Sequence, residues 1–132
     1  MKRTLLEVVL GALLLFLPPG EGLPNTEGWN ELQWSKFIAE KLGGEVEHRL
    51  PDGARVDILT DEVAWEVDWC TKSKSGKHWE APAQAIFGAI STGRKPGVIL
   101  LYDGSETAKR AYLRCLVVCS RTDVKLRTWK VQ

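Results

Sequence analysis

The stretch that decides the fold reads Val56-Asp57-Ile58-Leu59-Thr60, then two residues, then Val63-Ala64-Trp65-Glu66-Val67-Asp68. Both halves are rich in β-branched and aromatic residues, so Asp61-Glu62 between them predicts the two-residue turn of a β-hairpin. The register that this turn imposes places Asp57 directly across from Glu66. Two carboxylates are therefore expected to face each other on neighbouring strands.

Side chains alternate between the two faces of a strand, which sorts the returning half of the hairpin. One face is apolar and comprises Val63, Trp65, Val67 and Trp69. The other face carries Glu66 and Asp68 beside Asp57. Like charges opposite each other destabilise a sheet, so this acidic group calls for a cation. Carboxylate oxygens are ligands that suit Mg²⁺ or Mn²⁺.

A competing interpretation is a solvated acidic face that binds nothing. The same register places Arg55 opposite Asp68, where its guanidinium would neutralise part of the charge. Solvated faces are common in antiparallel sheets. The hairpin alone leaves this alternative open.

The N-terminus has the pattern of a secretory signal peptide. Lys2 and Arg3 precede an apolar run over residues 5–17, which Glu7 interrupts and Pro18-Pro19-Gly20 ends. The run is shorter than the roughly 18 to 20 apolar residues of a membrane span. We expect residues 1–22 to direct export, periplasmic or secreted, without stable membrane insertion once cleaved; an uncleaved segment would act as a membrane anchor.

Charge and length bound the rest of the chain. The 132 residues carry 18 Lys and Arg against 17 Asp and Glu, a formal net charge of +1. Residues 1–22 contribute Lys2 and Arg3 against Glu7 and Glu21, so the balance is unchanged without them. The chain lacks the overall excess of basic residues that would indicate nucleic-acid binding. The remaining length suits one domain, which we place at 26–132.

The three cysteines do not indicate a disulfide framework, because their number is odd and no CxxC spacing occurs. Cys115 and Cys119 lie four residues apart in a predicted helix, where we expect buried thiols in the core. With only His48 and His78 available, a zinc site has little support.

The order of elements follows from periodicity and turn signals. A helix over 29–42, with its cap in 25–28, ends at Gly43-Gly44, and a strand over 45–50 precedes the hairpin. These strands and the hairpin form an antiparallel three-stranded unit at the expected centre of the sheet.

The second half of the chain continues the pattern with two helices and two strands. A helix begins near Glu80, because Pro82 is tolerated only in the first turn. Its residues Ile86, Ala89 and Ile90 are expected to turn towards the sheet. Residues 95–97 are predicted to form a turn before an internal strand over 98–102, and a helix capped by Ser105 and a strand over 124–131 complete the order αβββαβαβ.

This order, with Asp57 on the second strand and Glu66 on the third, resembles the PD-(D/E)XK nuclease superfamily over residues 26–132. The resemblance implies an α/β (α+β) fold of the restriction-endonuclease type, a three-layer core with a mixed central sheet flanked by helices. It also implies that Asp57 and Glu66 bind the metal, Mg²⁺ or Mn²⁺. The family places a lysine two residues after the Glu, and this chain has Asp68 there, which we retain as a candidate metal ligand and catalytic residue.

Members of the superfamily relocate or replace that lysine. Lys77, just before the second helix, is the first candidate here, followed by Lys72 and Lys74. The sequence Glu-Ala-Pro-Ala-Gln-Ala at 80–85 resembles a segment in which related nucleases carry a Gln near the metal, which makes Gln84 a catalytic candidate.

Two further acids are additional candidates. Glu80 shares a helix face with Gln84, and Glu40 falls where some family members carry an acid on the first helix. Substrate phosphates would meet the cations around the second helix, namely Lys72, Lys74, Lys77, Arg94 and Lys95. Trp79 is a candidate for stacking on a base, whereas Trp65 and Trp69 are expected in the core.

The sequence thus predicts a metal-dependent nuclease, an enzyme that hydrolyses phosphodiester bonds of nucleic acid, with DNA expected and RNA still open. No small-molecule cofactor is expected. The alternative is a catalytically inactive binding or structural module on the same fold, which Asp68 favours. A third hypothesis is another metal-dependent hydrolase that uses the same acidic hairpin. The oligomeric state is not predicted.

Overall fold

A computed structural model describes residues 24–74 and 78–131 of the chain. The predicted signal peptide at 1–22 and the candidate Lys77 lie outside these ranges. None of the helices within them is long and apolar enough to cross a lipid bilayer.

The described residues form three helices and five strands in the predicted order. The helices are α1 (Glu31–Leu42), α2 (Ala81–Thr92) and α3 (Glu106–Thr122). The strands are β1 (Glu45–Arg49), β2 (Arg55–Leu59), β3 (Val63–Cys70), β4 (Lys95–Tyr102) and β5 (Lys125–Lys130). The α+β class is confirmed.

One mixed sheet joins the five strands in the spatial order β1-β2-β3-β4-β5. The first three strands are antiparallel, and β4 and β5 continue the sheet in parallel to β3. The centre of the sheet is therefore β3, whereas β1 lies at an edge. The prediction that β4 is internal is confirmed, because residues 98–101 are at most 1% exposed.

The helices cover opposite faces of the sheet. Trp34 and Ile38 of α1 pack with Trp65 and Val67 of β3 in one apolar cluster. A second cluster joins α2 and α3 to the other face, through Ala85, Cys115, Val98 and Leu100 among others. The predicted burial of Cys115 and Cys119 is confirmed, and Cys70 is a buried free thiol as well.

The cap of α1 lies later than predicted, at Asn30 rather than within 25–28. The Asn30 side chain accepts a hydrogen bond from the Gln33 N–H at 2.8 Å, and the Gln33 side chain accepts one from the Asn30 N–H at 2.9 Å. This capping box satisfies two backbone donors that a helix start leaves unpaired. It fixes Glu31 as the first residue of the helix.

The predicted buried face of α2 is confirmed at Ala89, which is buried, and at Ile86, which packs against the second cluster, but it is wrong at Ile90, which is 78% exposed. Most residues on the buried face are small, and its buried members are Ala81, Pro82, Ala85, Gly88 and Ala89. Nearly every position of this helix is apolar, so the 3.6-residue period does not identify one face. Small side chains bring the helix close to the sheet.

The turn predicted at 95–97 is instead the beginning of β4. The Lys95 N–H donates to the Glu62 carbonyl at 2.9 Å, which starts the pairing with β3. Gly97 is required inside this strand, because a Cβ there would lie 2.4 Å from a carbon of the Trp65 ring. The glycine that suggested a turn therefore makes room for an aromatic side chain.

Candidate functional site

The hairpin has the predicted register. Leu59 pairs with Ala64 and Ile58 with Trp65. The Thr60 N–H donates to the Val63 carbonyl at 3.0 Å, which closes the two-residue turn. Continuing this register places Asp57 beside Glu66.

The β2–β3 ladder changes at Asp57. The Val67 N–H donates to the Asp57 carboxylate, with 2.8 Å between N and Oδ2. Val56 and Ile58 belong to apolar clusters on opposite faces of the sheet, although residues two apart on a regular strand share a face. Strand β2 is therefore twisted at Asp57, which fixes the orientation of this carboxylate.

An open cleft of about 570 Å³ lies beside these carboxylates, between β2, β3, α2 and the start of α1. It is lined by three of the predicted site residues, Asp57, Glu66 and Gln84. The rest of the lining is Glu31, Leu50, Ala54, Arg55, Ala83, Phe87 and Gly88. The structure thus brings together the acidic pair and the glutamine that the sequence identified separately.

Glu31 is the acidic residue of this cleft that sequence reasoning missed. It lies at the first position of α1, which packs on the opposite face of the sheet, and reaches the cleft from the end of the helix. An acid in the first turn is ordinarily explained by the helix dipole. The one sequence signal was the capping box of Asn30 and Gln33, which defines where the helix starts.

The Asp57 and Glu66 carboxyl groups are hydrogen-bonded to each other. Burial is the main cause that raises the pKa of Glu66 to about 9, and the neighbouring Asp57 charge and hydrogen bond raise it further. Burial also raises the pKa of Asp57, against the opposing effect of the Val67 N–H. Without a cation, the pair is therefore expected to hold one shared proton at neutral pH.

Two more carboxyl groups add to the acidity. Burial raises the pKa of Glu31 to about 7, and the charges of Asp57 and Asp68 act in the same direction. Burial raises the pKa of Asp68 to about 6, although the Trp69 N–H and His78 partly oppose the shift. The cleft and its margin concentrate negative charge in a poorly solvated place.

Asp68 lies two residues after Glu66 on β3, and one of its carboxylate oxygens has no hydrogen-bond partner in the described ranges. Its Oδ1 accepts the Trp69 N–H at 2.9 Å. Its Oδ2 is buried and accepts no hydrogen bond from a residue in the described ranges. Asp68 interacts electrostatically with Asp57, Glu31 and Glu66 but does not belong to the cleft lining.

Arg55 does not pair with Asp68 as the hairpin register had suggested. Its guanidinium donates to Glu47 on the edge strand at 2.9 Å, and both side chains are substantially exposed. The regular pairing of β2 with β3 includes Ile58 and Leu59 but not Arg55, whereas β2 pairs with β1 from Arg55 to Leu59. Arg55 nevertheless lines the cleft, and its charge lowers the pKa of Asp57.

Of the predicted cations, the four in the described ranges do not line the cleft: Lys72, Lys74, Arg94 and Lys95. The Lys74 ammonium is 4.3 Å from the centre of the Trp69 ring, and the Lys72 N–H donates to Asp103 at 2.9 Å. The Arg94 guanidinium donates to the Thr92 carbonyl at 2.7 Å, at the end of α2. Lys95 pairs with Val63, at the far end of β3 from Asp68.

The remaining candidates fall into two groups. Glu80 is the exposed residue before α2, and its charge contributes to raising the pKa of Asp68. Glu40 and Trp79 are exposed and do not line the cleft. The Trp79 ring lies against His78 and near Arg114 instead.

The donors suit a hard cation held by few protein ligands. Within residues 24–74 and 78–131, no three His, Cys, Asp or Glu side chains are placed to enclose a metal ion. Mg²⁺ does not need such a cage, because it usually keeps several waters and binds one or two carboxylates together with substrate phosphate. The contacting pair of Asp57 and Glu66 meets that smaller requirement.

No family model, curated protein or solved structure matches this chain. Inferences about function therefore rest on the residues and geometry of the cleft.

Proposed function

We propose that this chain is a metal-dependent nuclease of the PD-(D/E)XK type, in which Asp57 and Glu66 hold Mg²⁺ or Mn²⁺. The element order αβββαβαβ and the positions of the two acids on β2 and β3 support a restriction-endonuclease-like core. The observation that carries the proposal is the pairing of two partly buried carboxyl groups, Asp57 and Glu66, that interact with each other inside an open cleft.

Structural stability does not explain this contact. Two carboxyl groups in contact resist double ionisation, and burial increases that cost. An acid pair that binds nothing opposes folding whenever it is charged. A divalent cation removes the penalty, because it balances both charges at once.

A bound cation would lower the pKa of a water molecule and offset charge on the phosphate of a substrate. Several residues of the chain would position or complement this cation. The Val67 N–H holds the Asp57 carboxylate in one orientation at 2.8 Å. Gln84, on the first turns of α2, offers an amide to the same cleft, and the Arg55 guanidinium supplies positive charge at its rim.

A catalytically inactive module is the second candidate, and Asp68 is the observation that favours it. A lysine at this position would place a cation beside the reacting phosphate. The carboxyl group of Asp68 instead adds to the negative charge around Glu66. Of the residues that line the cleft in the described ranges, Arg55 is the single cation.

The test is cleavage of labelled single- and double-stranded DNA and RNA by the full chain, with Mg²⁺, Mn²⁺ or EDTA. Glu66→Ala is the site variant. Glu40→Ala is its matched control, because Glu40 is an exposed glutamate of α1 outside the cleft.

We expect metal-dependent cleavage by the wild type and by Glu40→Ala, reduced to the EDTA background in Glu66→Ala. Nucleic-acid binding without cleavage, from protein shown to be folded, would replace the nuclease with the inactive module. Cleavage that survives in Glu66→Ala would remove the acidic pair from the mechanism.

A further inference from the structure

The cleft lining combines two chemically different sets of side chains. The first set is the acidic pair Asp57 and Glu66. The second set is apolar and comprises Leu50 and Ala54, from the connection between β1 and β2, and Phe87 from α2. Metal binding needs the first set but gives no reason for the second.

Phe87 is the unusual member of this apolar set. Its side chain is 48% exposed, although an aromatic ring of its size ordinarily dominates a core. It follows Gln84 by three residues, so both side chains point from α2 towards the same cleft.

The backbone under Phe87 is held tightly. A Cβ on the next residue, Gly88, would lie 3.1 Å from a methyl carbon of Val56 and 3.7 Å from the Cβ of Ala64. Helix α2 therefore touches β2 and β3 at this point, which leaves little freedom for the start of the Phe87 side chain. The Phe87 ring is therefore a half-exposed aromatic surface that extends from a closely packed stretch of backbone at the cleft.

We propose that Phe87 stacks on an unpaired nucleobase, so that the cleft accepts single-stranded nucleic acid in preference to a duplex. This inference rests on the proposed function, because it assumes that a phosphate of the same strand lies near Asp57 and Glu66. Every base presents a flat face, so stacking on an aromatic side chain suits single strands of any sequence.

The geometry favours a single strand over a duplex. Bases in a duplex are stacked and paired inside it, and they reach an aromatic side chain only after they are unstacked. The cleft volume of about 570 Å³ falls in the range of roughly 300–1,000 Å³ that is typical of small-ligand sites. Arg55 lines the same cleft and can meet the backbone phosphate of a strand whose base lies on Phe87.

The test is equilibrium binding of fluorescently labelled oligonucleotides to the full chain, followed by anisotropy with Ca²⁺ as the hard cation. The probes are a base-bearing single strand, an abasic single strand of equal length and the corresponding duplex. The variants are Phe87→Ala and Phe87→Trp. Ile90→Ala is the matched control, because Ile90 is also an exposed apolar residue of α2 but lies outside the cleft lining.

We expect Phe87→Ala to weaken binding of the base-bearing strand by roughly 5- to 100-fold, the loss typical of one stacked base. Phe87→Trp and Ile90→Ala should bind like the wild type, and the abasic strand should not respond to residue 87. Equal loss for the abasic strand, an unchanged affinity in Phe87→Ala, tighter binding of the duplex or no binding by the wild type would each overturn the inference.

Binding and cleavage separate the two proposals. Phe87-dependent binding without hydrolysis in Mg²⁺ or Mn²⁺ would support base stacking and contradict the nuclease. Glu66-dependent cleavage with binding that ignores residue 87 would support the nuclease and contradict base stacking.

Discussion

The two faces of β3 differ in chemistry. Towards α1 the strand presents Val63, Trp65 and Val67, each at most 4% exposed. Towards α2 it presents Glu66 and Asp68, two carboxyl groups with raised pKa values beside an open cleft. Residues adjacent in sequence therefore have opposite effects on stability: the buried apolar side chains stabilise the fold, and the carboxyl groups oppose folding when they are charged.

This contrast indicates a division of labour within one strand. The packed face buries aromatic surface, which is the main source of folding free energy. The cleft face keeps buried ionisable groups that oppose folding whenever they are charged. A fold that retains such groups beside a cavity has the signature expected of a functional site.

The largest effect is expected from the packed face. Trp65→Ala should lower the free energy of unfolding by about 3–5 kcal/mol, because it removes a large side chain from a site that cannot fully collapse. Chemical denaturation monitored by circular dichroism measures the loss, and Trp65→Phe is the milder companion. A smaller loss of stability in Trp65→Ala than in Trp65→Phe would contradict the assignment of Trp65 to a tightly packed face.

Substitution of the next residue, Glu66, should raise the free energy of unfolding instead of lowering it. Folding keeps a proton on Glu66, whose pKa rises to about 9, whereas the unfolded chain releases it near the ordinary value of 4.5. The stability of the metal-free wild type therefore falls as the pH rises through this interval. Glu66→Gln cannot ionise and avoids the penalty, which at pH 7 has a ceiling of about 3 kcal/mol.

Unfolding of Glu66→Gln and of the wild type by denaturant in EDTA, between pH 4 and 9, measures this difference. The two proteins should be alike near pH 4, and the variant should become progressively more stable at higher pH. Glu40→Gln, on the exposed side of α1, should show no such trend. A variant that is less stable than the wild type at pH 8 would contradict the assignment of a strained acidic pair.

Gly97→Ala tests how tightly the packed face is filled around the Trp65 ring. The added methyl meets two carbons of the Trp65 ring at 2.4 and 2.6 Å, so we expect a loss of about 1–3 kcal/mol. In a Trp65→Leu background the same substitution should cost less, because the clashing ring is absent. A double-mutant cycle from denaturant unfolding tests the coupling, and additive losses would argue against it.

Asn30→Ala is expected to have the smallest effect. It removes the side-chain acceptor for the Gln33 N–H at the start of α1, and losses of about 1 kcal/mol are typical. Helix α1 covers the packed face and also carries Glu31 to the cleft. Thermal unfolding measures the change, with Asn25→Ala as a matched control before the helix; equal shifts in both would exclude a role of the capping box.

Much of the hairpin could be predicted because local rules determine it. A two-residue turn sets the register, and the register with strand alternation separates Trp65 from Glu66. The same rules could not find Glu31, which reaches the cleft from a helix on the opposite face. Glu40 was an additional candidate only through the family resemblance, and it is exposed and does not line the cleft.

The errors in the second half have one cause, which is that small residues are ambiguous in sequence. Gly97 suggested a turn, although its role is to accommodate the Trp65 ring. The alanines and Gly88 of α2 do not define one face in the sequence. The prediction therefore wrongly placed Ile90 against the sheet and did not identify Phe87 at the cleft. Close packing is a property of two elements together, and neither segment shows it alone.

The most direct test of the central claim is a calorimetric titration of metal-free wild type and Glu66→Gln with Mn²⁺ at several pH values. Carboxylate ligands must lose their proton to bind a metal, so the wild-type affinity should rise as the pH approaches 9. Glu66→Gln should bind far more weakly, although it is the more stable protein. Equal binding by both proteins, or no binding by the wild type, would show that the acidic pair is not a metal site.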